Sequence, residues 1–204
     1  MKRMLALIGG LLFFTATLGG TTSRTALENA ESQNKKYPQL VLIIRHAEKP
    51  PEEARSVHLS AEGKKRAEVL PQLFQTSKKR PDPFPAPDFI FAAQNSKHSH
   101  RSVETVTILA KKLKLPINSN YPDDDFARLA HELFKNPKYA SKTILICWHH
   151  GTIPQLAKQL KAADAPDTWK GHVFDRVWQI TYDTNGKATF LRRPQQLLAT
   201  DSAK

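Results

Sequence analysis

The chain has 204 residues, 40% of them hydrophobic, and a formal net charge of +12 at pH 7. This length allows one well-buried domain and is too short for two ordinary ones. The charge favours anionic partners, but the basic residues are spread along the chain in pairs without interleaved aromatic side chains, so the pattern does not favour a nucleic-acid partner.

The first 20 residues have the pattern of a secretory signal peptide. Two basic residues, Lys2 and Arg3, precede an uncharged apolar run over 5–20. The run is shorter than the roughly 20 residues of a membrane span, so we predict a cleaved signal peptide over 1–20. An uncleaved anchor is the alternative, because no clean Ala-x-Ala site follows. We therefore expect an exported protein, periplasmic or secreted, with no stable membrane span after signal removal.

Residues 21–38 are polar and show no sustained apolar period, which predicts a flexible leader before a folded domain over 39–204. The single cysteine, Cys147, lies in an apolar run. A disulfide framework is therefore excluded, and we expect Cys147 to be a small core residue rather than a catalytic thiol.

The folded part alternates strand and helix patterns. Ser60 is a suitable N-cap, Pro71 should kink or shorten the helix that follows it, and Asn185-Gly186 indicates a hairpin turn. Such alternation predicts an α/β fold, a three-layer α/β/α sandwich with a mixed, mostly parallel sheet. The predicted elements, in order, are strand 39–44, helix 61–70, strand 89–93, a helix from about Ser102, helix 124–134, strand 143–148, a helix capped by Thr152, and strands 174–182 and 187–191.

Polar clusters follow three of these strands. Arg45-His46 follows the first, Arg101 the second, and His149-His150 the strand over 143–148. Because open α/β sheets bind ligands beyond the carboxyl ends of their strands, we expect the three clusters to share one crevice. Guanidinium groups and imidazoles without matching carboxylates favour an anion, and phosphate suits the bidentate arginine fork.

Four segments, found in the same order and spacing, resemble signatures of the histidine phosphatase superfamily, also called phosphoglycerate mutase-like. The first is similar to an Arg-His-Gly-Glu motif with Ala47 in place of glycine, and the second to a Leu-Ser-x-x-Gly-x-x-Arg-Ala helix. The third is similar to an Arg-Ala-x-Gln-Thr helix with Ser102 and Glu104 as departures, and the fourth to the strand that carries a second histidine. The segments are 42–48, 59–67, 91–105 and 144–151.

This resemblance implies a phosphoglycerate mutase-like fold and a metal-independent phosphoric monoester hydrolase. His46 would attack phosphorus and form a phosphohistidine, which water then hydrolyses. Arg45, Arg101 and the second histidine would hold the phosphoryl oxygens. No metal or other cofactor is implied, and the expected partner is a small phosphorylated substrate. The alternatives are a phosphomutase and a catalytically weak or inactive module that binds phosphate or polyanions.

The second histidine has two candidates. A gap-free match of the strand selects His149, whereas the usual His-Gly dipeptide, and a subgroup with Trp-Glu-His at this point, select His150. We take His150 as catalytic and expect His149, Lys49 and His100 to contact the substrate. His100 and His98 could instead form half of a metal site, but we prefer the pocket interpretation and predict no metal ligands.

The proton donor for the leaving group is left open. The region between the second helix and the last catalytic strand offers four carboxylates, and each of them is also explained as a charge at a helix N-terminus or on the surface. They are Asp123, Asp124, Asp125 and Glu132. The natural substrate and the oligomeric state do not follow from the sequence.

Overall fold

The computed structural model describes residues 36–202. The predicted signal peptide over 1–20 and nearly all of the predicted leader lie outside this range, so export remains a prediction. Tyr37 was assigned to the leader, yet its ring packs on Phe134 and Tyr182, at centroid distances of 5.3 and 5.6 Å. Packed chain therefore begins at least two residues before Gln39. No helix within the described range is long and apolar enough to cross a membrane.

A six-stranded sheet forms the centre of the domain. Its strands are β1 (Leu40–Arg45), β2 (Phe89–Ala93), β3 (Ile117–Tyr121), β4 (Thr143–Trp148), β5 (Arg176–Tyr182) and β6 (Ala188–Pro194), in the spatial order β3-β2-β4-β1-β5-β6. The first four run parallel, β5 pairs antiparallel with β1, and β6 pairs antiparallel with β5. The predicted mixed, mostly parallel sheet is confirmed.

Residues 36–202 also form four α-helices: α1 (Ala61–Val69), α2 (Arg101–Leu113), α3 (Phe126–Lys135) and α4 (Ile153–Gln159). Three short 3₁₀ helices accompany them, over Glu52–Ala54, Leu70–Phe74 and Pro137–Tyr139. As predicted, the Ser60 hydroxyl caps α1 by accepting from the Gly63 N–H at 3.1 Å. The α-helix ends before Pro71, where a 3₁₀ turn replaces it.

Two apolar cores cover the two faces of the sheet, because successive strand side chains point to opposite sides. Val41 and Ile43 of β1 pack in the core that includes α3 and α4. Leu42 and Ile44 pack in the other, which includes α2 and buried Cys147. The helices thus lie on both faces, and the predicted three-layer α/β/α architecture is confirmed.

The strand β3 was not predicted. Its sequence, Ile-Asn-Ser-Asn-Tyr, carries three polar residues, and only Tyr121 is buried. Since β3 lies at the edge of the sheet, it requires no continuous apolar run. The predicted hairpin is present: β5 and β6 pair, and Gly186 takes a φ of 77° in the turn between them.

Candidate active site

The parallel pairing of β1 with β4 brings two of the predicted clusters together. Arg45 is the register partner of Trp148, and the His46 N–H donates to the Trp148 carbonyl at 3.0 Å. His46 follows β1 and His149 follows β4, so both histidines lie at the carboxyl ends of two neighbouring parallel strands. Arg101 is the first residue of α2, which follows β2, the other neighbour of β4. The predicted convergence of the three clusters is therefore found.

His46 is buried, with 2% of its surface exposed. Its Nδ1 lies 2.7 Å from the Ala47 carbonyl oxygen, and because a carbonyl only accepts, Nδ1 carries the proton. Burial lowers the pKa of His46 to about 2, and the positive charges of Arg45 and Arg101 act in the same direction. The ring is therefore neutral at physiological pH, and Nε2 keeps a lone pair for attack on an electrophile.

The segment after His46 is fixed against the start of α2. The Ala47 N–H donates to the Thr105 hydroxyl at 2.9 Å, and this hydroxyl donates to the Arg101 carbonyl at 2.7 Å. Ala47 occupies the position at which the resembled motif has glycine, and its methyl group packs in a small cluster with Leu59 and Ala67. The departure from the motif is thus accommodated by packing and does not disturb the segment.

Arg45 is 1% exposed and makes its hydrogen bonds with backbone carbonyls. Nη1 donates to the carbonyls of Gly171 at 2.6 Å and Val173 at 3.1 Å, and the guanidinium carbon lies 3.8 Å from the centre of the Phe174 ring. Nε and Nη2 are buried and have no hydrogen-bond partner within the described chain. Burial, followed by the charge of Arg101, lowers the pKa of Arg45 to about 10, so it stays protonated at neutral pH.

Arg101 is half-buried and, like Arg45, has a buried guanidinium nitrogen without a protein acceptor in the described chain. Nη1 donates to the Ser56 carbonyl at 2.9 Å, whereas the buried Nε has no partner among residues 36–202. Burial lowers the pKa of Arg101, and the charge of Glu104 partly opposes this. Three guanidinium nitrogens of Arg45 and Arg101 are thus buried without an acceptor in the described part of the chain. Because an unsatisfied buried donor is costly, this arrangement is typical of a site whose acceptor is a ligand.

The two adjacent histidines lie differently relative to His46. The His149 ring packs edge-on against the His46 ring, with centroids 5.3 Å apart. Burial lowers the pKa of His149, with Arg45 and Arg101 acting in the same direction and Asp123 opposing them. His150 faces Gly171, where an added Cβ would lie 3.5 Å from its Nε2. Burial and then the charge of Arg45 lower the pKa of His150. The structure thus brings His149 to the His46 ring and places His150 along the wall near Arg45.

Lys49 and His100, the other predicted substrate contacts, have protein partners. The Lys49 ammonium pairs with Glu52 at 2.8 Å, at the rim of a cavity of about 340 Å³ that Arg101 also lines. The His100 ring packs edge-on against His58, with centroids 5.2 Å apart. Lys49 therefore lines the same cavity as Arg101, while His100 packs against His58.

Three of the four candidate proton donors differ in their partners, and the fourth, Asp124, is exposed. Asp125 pairs with Arg128 at 2.5 Å, and Glu132 accepts from the Asn136 amide at 2.9 Å. Asp123 is held by its backbone, since the Trp148 indole N–H donates to its carbonyl at 3.0 Å. Its carboxylate acts on the charge of His149. Asp123 is thus the candidate whose charge reaches the site.

Two contributors to the site were not predicted. Phe174 stacks under the Arg45 guanidinium and lies 6.0 Å from the His46 ring centre. Thr105 joins the loop after β1 to α2. Thr105 stands inside the third motif and could have been found there, whereas nothing in the local sequence marks Phe174.

The sequence was compared with known proteins. No family model matches it, and no curated protein matches it. Solved structures do match. The protein histidine phosphatase SixA, complexed with tungstate, aligns with a TM-score of 0.55 at 16% identity, over 76% of this chain and 97% of that chain. The chain has the fold of the histidine phosphatase superfamily.

Two further structures with this phosphoglycerate mutase-like fold are similar. A variant phosphoserine phosphatase from Entamoeba histolytica, in complex with phosphoserine, gives a TM-score of 0.53 at 13% identity, covering 78% of this chain and 98% of that one. The phosphoglycerate mutase from Bacillus anthracis str. Sterne gives 0.51 at 13% identity, covering 78% and 94%. The predicted fold is confirmed. At these identities the likeness concerns the fold, so the role of each residue depends on the geometry above.

Proposed function

We propose that this protein is a phosphomonoesterase that acts through a phosphohistidine at His46. The observation that carries the proposal is a neutral, buried imidazole beside Arg45, which is buried, and Arg101, which is half-buried. Three buried guanidinium nitrogens of these arginines have no acceptor within residues 36–202. A phosphoryl group supplies the missing oxygen acceptors and the electrophilic phosphorus at the same place. The tungstate and phosphoserine held by two structures of the same fold support an oxyanion in this pocket.

The reaction has two displacements at phosphorus. In the first, the Nε2 lone pair of His46 forms a bond to phosphorus while the bond to the ester oxygen breaks, and the leaving group takes up a proton. In the second, water attacks the phosphohistidine and gives a proton back to the group that protonated the leaving oxygen. The P–N bond breaks, and its electron pair returns to Nε2 as phosphate departs. Arg45 and Arg101 stabilise the charge on the equatorial oxygens in both steps, and no step of this mechanism requires a metal ion.

We propose His149 as the second histidine of the pocket, in place of the sequence-based choice of His150. The ring contact of His149 with His46, and the opposing influences of both arginines and Asp123 on its charge, support this assignment. His150 and Lys49 then contact the outer part of the substrate, since the charges of Arg45 and Lys49 both act on the His150 ring. Replacing each histidine by alanine separates the two assignments, because the catalytic one lowers kcat more.

We propose Asp123 as the donor of the leaving-group proton. Its side chain is exposed and its charge acts on His149, while its backbone is fixed by Trp148. A carboxyl group there can protonate an alkoxide as it leaves phosphorus. Good leaving groups, such as aryl oxides, do not require this help. The substrate class is accordingly a small phosphate monoester. The predicted signal peptide adds the proposal that the protein meets this substrate outside the cytoplasm.

Hydrolysis of an aryl phosphate by the purified domain tests the proposal. We expect turnover that persists in the presence of a chelator, is inhibited by vanadate, and is abolished in His46→Ala. His131→Ala is the matched control, because His131 is an exposed histidine on α3, outside the pocket. Full activity in His46→Ala would refute the mechanism. An inactive wild-type protein that still binds phosphate through Arg45 would identify the alternative, a phosphate-binding module.

A further inference from the structure

A second cluster of chemically active side chains lies beside the phosphate pocket. One possible metal-ligand atom from each of His58, His100 and Glu104 lies within 4.8 Å of the other two. Nδ1 of His58 donates to Oε1 of Glu104, and the His58 and His100 rings meet edge-on. The pocket mechanism uses none of these three side chains.

The backbone holds the three ligands in this arrangement. Glu104 follows His100 by four residues, and its N–H donates to the His100 carbonyl at 3.1 Å, so both side chains lie on one face at the start of α2. The 56–59 loop brings His58 to the same face. That loop is fixed by bonds from the His100 N–H to the Val57 carbonyl at 2.9 Å and from the Leu59 N–H to Glu104 Oε2 at 2.9 Å.

We propose that His58, His100 and Glu104 bind a transition-metal dication of the zinc class. Two imidazoles and one carboxylate form a common three-residue ligand set for zinc, which leaves a fourth position to water. Zinc bonds of about 2.0–2.1 Å require the three ligand atoms to approach to roughly 3.3 Å. The exposed His58 ring has room to close this gap, since 57% of its side chain is accessible.

A simple ion pair between His58 and Glu104 accounts for less of the arrangement. The ion pair gives no function to the His100 imidazole beside it. It also does not require the Leu59 N–H to orient the Glu104 carboxylate, whereas the ligands of a metal ion are commonly oriented by such an additional hydrogen bond. Glu104 is also a departure from the resembled motif, which has a neutral glutamine there. The change supplies the anionic oxygen that a metal ion requires.

The proposed metal ion acts on structure near the pocket. It would connect the 56–59 loop to α2 at the residues that flank Arg101, whose Nη1 already donates to Ser56 in that loop. The bound dication would also neutralise the Glu104 carboxylate, whose negative charge raises the pKa of Arg101. The site is therefore expected to stiffen the Arg101 side of the pocket without taking part in phosphoryl transfer.

Zinc titration of chelator-stripped protein by isothermal calorimetry tests this site independently of phosphatase activity. We expect one zinc ion per chain, and at least about tenfold weaker binding in His58→Ala, His100→Ala and Glu104→Gln. The matched controls, His131→Ala and the pocket variant His149→Ala, should bind zinc as the wild type does. At a hundredfold excess over Kd, zinc should raise the Tm of the wild type by roughly 5–10 °C.

Two results would overturn the proposal. The first is a wild-type protein that shows neither zinc binding heat nor a zinc-dependent rise in Tm. The second is binding that is lost in His149→Ala and unchanged in His58→Ala, which would move the metal ion to the pocket histidines. Because His58 is exposed, its replacement tests the site without a risk to folding.

Discussion

Two buried arginines of this domain, Arg45 and Arg66, are almost equally removed from water but share no hydrogen-bond partner. Arg66 is 3% exposed and donates to Glu48 at 2.6 Å and to Asp201 at 2.7 Å. Burial alone would lower the pKa of Arg66, but hydrogen bonds to the two carboxylates more than offset this and raise it. Arg45, at 1% exposed, has no carboxylate within salt-bridge distance in the described chain.

The difference in partners assigns Arg66 to the stability of the fold and Arg45 to the candidate active site. Arg66 is neutralised within the fold and ties the loop after β1 to the C-terminal segment around Asp201. Arg45 keeps its charge for a group that residues 36–202 do not supply. Removal of one partner from a buried ion pair is strongly destabilising, so the fold depends on Arg66, whereas a buried cation without a carboxylate partner is suited to bind an anion. Four variants or conditions test this comparison.

The largest expected effect is on stability, in Arg66→Ala. The change leaves the Glu48 and Asp201 carboxylates without their cation, and Asp201 has only 1% of its side chain exposed. We expect the free energy of unfolding to fall by about 3–5 kcal/mol, measured by urea denaturation. Lys65→Ala is the control, since 69% of that side chain is exposed on the same helix. A loss below about 1 kcal/mol would contradict the structural role of Arg66.

Arg45→Gln should show the opposite pattern. We expect kcat/KM for an aryl phosphate to fall by about 10²–10³-fold, as for the loss of a charge-stabilising donor. The free energy of unfolding should change much less than in Arg66→Ala, and stabilisation by inorganic phosphate should disappear. Arg192→Gln, an exposed arginine on β6, serves as the control. Retained stabilisation by phosphate would mean that the anion binds elsewhere.

Asp123→Asn tests the proposed proton donor, whose charge acts on His149. We expect a loss of about 10²-fold in kcat for alkyl phosphates and little change for aryl phosphates, because only the poorer leaving group requires a proton. Asp125→Asn is the matched control, since Asp125 already pairs with Arg128. Equal losses on both substrates would assign Asp123 a structural role instead.

Acidification tests the neutral state of His46. Burial lowers the pKa of His46 to about 2, below the value of about 6.5 in the unfolded chain, so below pH 6.5 the unfolded state binds the extra proton. This contribution to stability is present above pH 6.5 and is lost as the pH falls. At pH 5 the loss from His46 is about 2 kcal/mol, and His46→Gln should remove it from urea unfolding curves. An unchanged pH dependence in the variant would contradict a buried neutral ring.

Much of the fold and part of the site follow from the sequence. The strands β1 and β4 were predicted within one residue because their apolar runs are continuous. The parallel carboxyl ends of β1, β4 and β2 predicted that Arg45-His46, His149-His150 and Arg101 would meet. The polar edge strand β3 lacks that signal. The choice between His149 and His150 depends on how the backbone turns after β4, which the local sequence does not encode. His58 lies 46 residues before Glu104, so no spacing rule connects the two.

The central claim is that His46 carries the phosphoryl group. It is tested most directly by mixing the protein with excess aryl phosphate, quenching in alkali, where phosphohistidine survives, and locating the modification by peptide mass spectrometry. We expect one phosphoryl group on His46 of the wild type and none on any residue of the His46→Ala variant. A phosphoryl group on another residue of the turning-over enzyme would contradict it.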